Sequence, residues 1–384
     1  MQPHGGISRV AFELARRLHE RGVDIETITG ELPGEESSLI PVGTIRQLKS
    51  IAWLMRRLRG YLKINITVVV FSLLSSRIFH ARRLDSISLS HGDSLTGDIF
   101  VAHSCHWAAV HAKIKNRQWR WLFNPMHWFV LAREAWITRR RHFQYLVAIS
   151  HEISTEYQHY HRVPVERIRV ISNGVDTQSF TPDSRSAARL SVLDELGLSG
   201  GMRILLFAGH EFGRKGLSEL IRALPLIRTD EGIALLVLGR DHQAPYKMLA
   251  DENNVSAQVY FLGARLDIER YMAAADLFVL PAYYEPFGLV CMEALASGTP
   301  VLATKTGGII DYLENGVNGL FIEPDPGDIA AKITLLLTDP ARMHSMGAAA
   351  RKTAEQFSWD TVAAHYLELI HQVAEEKMRG AVRC

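Results

Sequence analysis

Cysteine is scarce in this 384-residue chain. Its three residues, Cys105, Cys291 and Cys384, are scattered and form no Cys-x-x-Cys pair. That pattern supports neither a disulfide framework nor a zinc site, so a reducing, cytoplasmic compartment is the expectation. Long hydrophobic runs are missing as well. The longest, residues 64–74, spans 11 residues and contains Asn65, Thr67 and Ser72, against the roughly 20 apolar residues of a membrane-spanning helix. The opening Met-Gln-Pro-His-Gly-Gly has neither the basic nor the apolar region of a signal peptide, so secretion is not expected. No Gly-x-x-x-x-Gly-Lys-Ser/Thr loop occurs, and no Gly-x-Gly-x-x-Gly follows a first strand. These absences exclude a Walker-type nucleotide site and disfavour a nicotinamide-dependent dehydrogenase.

What is present is an ordinary globular composition: 47% hydrophobic, 22% charged, 28 Gly and 14 Pro. Disorder, collagen-like repeats and coiled coil are disfavoured, and the length predicts two to three domains at roughly 150 residues each. The net charge of +2 hides an asymmetry. Residues 1–172 hold 24 Lys and Arg against 14 Asp and Glu, and residues 173–384 hold 19 against 27. A basic first half suits an anionic partner.

From residue 203 onward, short apolar runs alternate with helical spacing. Runs at 203–208, 234–238, 259–262, 277–280 and 301–303 end in Gly or Pro, with a helix expected at 217–226. Such runs predict a parallel sheet covered on both faces, hence a doubly wound α/β domain. The first half predicts a second α/β domain, less cleanly. A helix is expected at 7–21, and strands near 25–28, 67–71, 86–90, 99–102 and 145–149. Residues 172–202 read as a linker, dividing the chain into an N-terminal domain 1–172, a C-terminal domain 173–356 and a last helix within 357–384. The strand expected before Gly5-Gly6 is missing from the sequence. Either the start lies upstream or the sheet is shortened.

Two loops carry the chemistry. Pro281-Ala-Tyr-Tyr-Glu285-Pro286-Phe287-Gly288-Leu289-Val290 leads into a helix expected to begin near Phe287, with Glu293 in its first turns and Gly298 at its end. A helix start at a strand end offers unpaired N–H groups to a phosphate, and Gly288 permits close approach of the backbone. Glu285 and Glu293, eight residues apart, can accept hydrogen bonds from sugar and ribose hydroxyls. Gly209-His-Glu-Phe-Gly-Arg214-Lys215-Gly216 follows the strand at 203–208 and brings two cations to its end. Arg214 can grip a phosphate bidentately and Lys215 supplies a point charge.

These residues resemble glycosyltransferase family 4, retaining nucleotide-sugar enzymes of the GT-B fold, with two facing Rossmann-like domains and a cleft between them. Glu285 and Glu293 look like the family's Glu-x7-Glu pair, 213–216 like its diphosphate loop, 169–180 like its interdomain segment, and 5–11 like its N-terminal glycine loop. Residues 147–150 and 357–359 fit too. Residues 212–216 and 273–277 suggest the subgroup that builds lipopolysaccharide cores and other bacterial surface polysaccharides. His210 departs from the arginine that many members carry. The resemblance implies hexose transfer from a nucleoside-diphosphate sugar with retention, without a metal ion or a cofactor beyond that co-substrate. It places Arg214, Lys215 and the amides of Gly288 to Val290 on the diphosphate, Glu293 on the ribose, and Gly209, Pro286 and Phe287 within the donor site. It puts the turn ending at Arg265 near the base, Gly6 over the phosphates, and Glu285 and His103 at the sugar, with His91 and His106 as competitors for the histidine's place.

Residues 113–141 interleave Lys and Arg with Trp119, Trp121, Trp128 and Trp136, just after Trp107, and residues 46–63 add a basic piece around Trp53. This pattern suits an anionic membrane surface, with a glycan or lipid-linked glycan as acceptor. Single-stranded nucleic acid is also compatible with the pattern, but no nucleic-acid module accompanies it. The expectation is therefore a cytoplasmic transferase, peripheral on the inner membrane face. A catalytically inactive GT-B scaffold subunit is the alternative.

Overall fold

The computed structural model describes residues 6–29, 44–47, 60–82, 85–92, 94–115, 122, 125–140 and 142–381. The chain divides into two compact units, Met1–Ser172 with Trp359–Cys384, and Asn173–Ser358.

In the first unit, strands β1 (Glu26–Thr29) and β2 (Thr44–Gln47) pair in parallel. A separate parallel sheet runs β3 (Leu89–Ser90), β4 (Ile99–Ala102), β5 (Tyr145–Ala148), β6 (Ile168–Val170). β4 and β5 are buried along their whole length, which is why they stand in the sequence as unbroken apolar runs. The helix Gly6–Glu20 buries Val10, Leu14 and Leu18, a stripe at i, i+4, i+8. Trp359–Ala381 packs along it, with Asp360 meeting Arg17 at 3.1 Å and Arg21 at 2.8 Å. Farther along, this last helix is tied to the sheet. Tyr145 Oη donates to Glu376 at 2.7 Å, and Lys377 Nζ pairs with Asp98 at 2.8 Å.

The strand expected at 67–71 is instead part of the helix Gly60–Ala81. A run of β-branched residues favours a strand only when it is short and bounded by turns. Here the apolar pattern continues far beyond strand length, and serines are satisfied inside the helix: Ser75 Oγ donates to the Phe71 carbonyl at 2.7 Å and Ser76 Oγ to that of Ser72. Among the described residues, no helix is long and apolar enough to cross a membrane.

The second unit is built on a six-stranded parallel sheet. Its strands are β7 (Arg203–Ala208), β8 (Ile233–Leu238), β9 (Val259–Gly263), β10 (Leu277–Leu280), β11 (Val301–Thr304) and β12 (Gly319–Ile322). Their spatial order is β12-β11-β10-β7-β8-β9. The chain enters at the middle of the sheet, builds outward through β9, then returns to the other side of β7. The order therefore reverses between β7 and β10, and in open parallel sheets a ligand crevice forms at the strand C-termini beside such a reversal. β6 and β12 were not expected from the sequence. They are three and four residues long, too short for alternation or run length to announce them.

Residues 172–202 are not a bare linker. Pro182–Ser184 forms a 3-10 turn and Arg185–Glu195 a helix that packs on Ile268–Ala274. Ala188, Val192 and Leu193 are its buried face. Arg189 bridges from it to the buried Asp276 at 2.9 Å, and Asp276 also accepts the Ile204 amide at 2.8 Å. The dense polar residues of this stretch hid a narrow apolar stripe.

Candidate active site

The reversal between β7 and β10 brings the two sequence-derived loops together. The backbones interlock first: the Tyr283 amide donates to the Arg214 carbonyl at 2.9 Å, and the Arg214 guanidinium donates to the Tyr284 carbonyl. Lys215, only 7% exposed, then lies against Glu285, 9% exposed, with Nζ 2.9 Å from Oε2. No hydrogen bond within the structure ends on Glu285 Oε2, which meets the Lys215 charge instead. Glu285 Oε1 accepts the Gly288 amide at 3.2 Å. Arg214 sits farther off, 3.7 Å from Glu285 and held at 2.9 Å by Glu211. A buried carboxylate needs a cation or donors to stay charged in a low-dielectric setting, and here one ammonium and one amide supply them.

The helix after this loop is Leu289–Ala296, starting two residues later than expected, with Gly288 as its left-handed cap at φ 80°. A side chain at 288 would meet Tyr312 Oη at 2.7 Å. The amides of Leu289 and Val290 occupy the first helical positions, where no intrahelical acceptor exists. Glu293 is buried in the same helix. Burial, reinforced by the Glu285 charge, raises the Cys291 thiol well above its ordinary range, so this neighbour is a neutral packing group and not a nucleophile.

Glycine fixes the opposite wall. At Gly209 a Cβ would fall 2.5 Å from the Lys215 side chain, so the missing side chain is what lets the lysine fold back over the strand end. Gly239, at the end of β8, abuts the Gly209 carbonyl so closely that a Cβ would come within 1.8 Å of it. The sequence showed Gly239 only as a strand terminator. Tyr312 was likewise missed; its hydroxyl donates to the carbonyls of Phe287 at 2.8 Å and Gly288 at 3.0 Å, bracing the loop from behind. His210 has its Nδ1 accepting from the Arg240 amide at 3.1 Å, so the neutral ring carries its proton on Nε2.

Other expected residues lie elsewhere. The Arg265 guanidinium is drawn to Glu195 at 2.9 Å, beside Arg270 and Tyr271. In the first unit Gly6 opens the helix Gly6–Glu20. His103 follows β4 and pairs with His91, Nε2 to Nδ1 at 2.9 Å, the rings stacked at 5.2 Å. His106 pairs instead with His127 at 2.9 Å. Gly5 and the basic segment around Trp53, Trp119 and Trp121 lie outside the described residues.

Burial lowers the pKa of both His91 and His103 below the ordinary imidazole value of 6.5, and the neighbouring His91 lowers His103 further. In the unfolded chain both take up protons below that pH while the folded pair stays neutral. Stability contributed by the neutral pair is therefore complete at neutral pH and is lost progressively as pH falls below 6.5. We expect denaturant titrations of the His91→Phe/His103→Phe variant to show a shallower loss of stability between pH 6.5 and 4.5 than the parent. An unchanged pH slope would refute the assignment.

Comparison with known proteins gives two family matches along the chain. Residues 4–179 match the description "Glycosyltransferase Family 4", and residues 192–353 match "Glycosyl transferases group 1". An uncharacterised glycosyltransferase of Methanocaldococcus jannaschii is 29% identical over 238 residues, 61% of each chain. A D-inositol 3-phosphate glycosyltransferase of Nocardia farcinica is 38% identical over 215 residues, 53% of this chain and 47% of its own. The chain thus spans about half to three-fifths of the length of these curated relatives. Among solved structures, WaaG, a glycosyltransferase involved in lipopolysaccharide biosynthesis, superposes with a TM-score of 0.73 at 20% identity over 96% of both chains. Anabaena HepE in complex with UDP-glucose gives 0.69 at 19% identity over 97% of both. Two parallel-sheet α/β units of this kind are the GT-B fold, and with both family descriptions matched in order along it, the chain belongs to the family 4 glycosyltransferases.

Proposed function

We propose that this chain transfers a hexose from a nucleoside-diphosphate sugar, with retention at the anomeric carbon and without a metal ion, to a glycan or lipid-linked glycan acceptor in bacterial surface polysaccharide or lipopolysaccharide synthesis. The observation that carries the reading is the 2.9 Å Lys215–Glu285 pair at the strand reversal, beside a helix N-terminus. A diphosphate at this point meets Lys215, Arg214 and the amides of Leu289 and Val290. These groups stabilise the charge that grows on the departing phosphate, the task a divalent ion would otherwise perform. Glu285 accepts donor-sugar hydroxyls through Oε2, Glu293 accepts from the ribose, and the turn from Gly263 to Arg265 flanks the base. His103 and Gly6 of the first unit remain candidates for the roles the family resemblance gives them. The UDP-glucose bound by HepE makes a uridine donor the first to try.

The test is a panel of UDP-, GDP- and ADP-sugars, with NAD as control, read by thermal shift and slow donor hydrolysis, with the product anomer assigned by NMR in the presence of a chelator. One nucleotide-sugar stabilises the chain by mass action and is hydrolysed with retention. Inversion, or turnover that after chelation returns only with added Mg2+ or Mn2+, would overturn the mechanism. No response to any sugar nucleotide would favour the inactive scaffold.

Peripheral attachment to the inner face of the membrane belongs to the same proposal. Trp128 and Trp136 are about half exposed on the helix Pro125–Arg140, and amphipathic aromatic rings among cations suit a headgroup layer. We expect the Trp128→Ala/Trp136→Ala variant, and neutralisation of the basic residues of 113–141, to lower co-sedimentation with anionic vesicles at least several-fold. Unchanged sedimentation would count against a membrane role.

A further inference from the structure

The first unit contains a second cluster of reactive side chains that glycosyl transfer does not use. Cys105 immediately precedes the helix His106–Lys115 and is fully buried. Glu134 lies on Pro125–Arg140 and His161 at the end of His151–His161. One donor atom from each of Cys105, Glu134 and His161 lies within 4.8 Å of the others. Each is also oriented by a neighbour. Glu134 Oε1 accepts from Tyr157 Oη at 2.7 Å and from the His106 amide at 3.1 Å. Tyr157 and His161 are four residues apart and share a helix face, as do Glu134 and Thr138.

Thr138 anchors one ring nitrogen of His161. Thr138 Oγ1 lies 2.8 Å from the Glu134 carbonyl, to which its one proton is given, and 3.1 Å from His161 Nδ1. The threonine oxygen can then only accept, so Nδ1 carries the ring proton. His161 Nε2 lies 3.2 Å from Glu134 Oε2, off hydrogen-bond geometry and with the imidazole side chain 4% exposed. A proton or a metal ion between these two atoms satisfies both, and the neighbouring thiol supplies a third donor to a metal. A histidine anchored through Nδ1, with Nε2 turned to a carboxylate and a thiol, is the arrangement of a metal ligand with its outer hydrogen bond already made.

We propose that Cys105, Glu134 and His161 bind one zinc-class transition-metal ion that staples three of the helices of this unit. Sulfur, nitrogen and oxygen donors on three elements are the ligand set of such an ion. Bond lengths of about 2.0–2.3 Å put tetrahedral ligands about 3.3–3.8 Å apart, so closure onto the metal needs only a small inward movement. Water completes the coordination. Binding expels the Cys105 thiol proton to solvent as the sulfur–metal bond forms, leaving a thiolate ligand. A nucleophilic thiol–imidazole–carboxylate triad has the same composition, but a fully buried sulfur reaches no substrate, only an ion.

The test uses the full chain carrying Cys291→Ser and Cys384→Ser, so that Cys105 is the sole thiol, stripped with a chelator and titrated with Zn2+ and Co2+. We expect one equivalent of Zn2+ bound, one proton released, a higher unfolding temperature reversed by chelation, and a thiolate-to-cobalt charge-transfer band with Co2+. Adding Cys105→Ser or His161→Gln removes that band. No charge-transfer band in the parent, or a band that survives Cys105→Ser, overturns the site. So does an NMR titration of the stripped chain in which His161 stays an imidazolium paired to Glu134 whatever Zn2+ is added. None of these readouts depends on transfer activity.

Discussion

Lys215→Ala lowers turnover of the nucleotide-sugar donor by roughly 10²–10³-fold, the loss typical of removing one group that stabilises charge in the transition state. Two effects act together. The ammonium is the closest cation to Glu285, at 2.9 Å, and Arg214 at 3.7 Å is held by Glu211 and the Tyr284 carbonyl. Removing it also leaves a buried carboxylate undercompensated, at a cost of about 3–5 kcal/mol when one partner of a buried pair is deleted. Nucleotide affinity therefore falls along with the rate, and Glu293→Ala weakens nucleotide binding separately. Steady-state kinetics and calorimetric titration on a variant whose melting remains cooperative check this. Wild-type nucleotide affinity in both variants would remove the diphosphate from this crevice.

Gly307→Ala has the second large effect, from backbone geometry alone. Gly307 has φ 57°, and a Cβ there would lie 1.7 Å from the Glu285 carbonyl oxygen. Neither atom belongs to a side chain that can swing away. The loop at 285–286 must move, which also strains the bond from the Gly308 amide to the Pro286 carbonyl at 2.8 Å. We expect a loss of about 2–4 kcal/mol, as for named backbone-strain sites, and at least tenfold weaker donor binding. Gly316→Ala is the matched control. It has φ 83° but nothing within 4 Å of the added carbon, so it costs only the left-handed penalty of about 1–2 kcal/mol and leaves donor affinity intact. Equal stability losses and equal affinities for the two variants would show that the Gly307 contact does not position the loop.

Much of the second unit was legible in the sequence because its strands are buried on both faces. β8, β10 and β11 are buried throughout, so each stands as an apolar run ended by Gly or Pro. The two chemical loops were legible for the same reason: each follows such a strand. The first unit was harder to read. At 60–81 a β-branched run folded as helix, because length and continuity, not residue preference, decided its state. The helix Arg185–Glu195 was hidden because a three-residue apolar stripe carries little signal among charges.

The sequence by itself determined the α/β class, the alternation that makes a parallel sheet, and the cations and carboxylates at two strand ends, since these depend on local composition and on periodicities of two and 3.6. Only the tertiary structure decided which strand ends become neighbours. The return of the chain from β9 to the far side of β7 puts Lys215 on Glu285, while the packing of neighbouring strand ends turns Gly239 and Gly307 from turn formers into points of backbone contact. The same holds for Cys105, Glu134 and His161. No spacing connects them, and the packing of three helices brings one atom of each to a common centre.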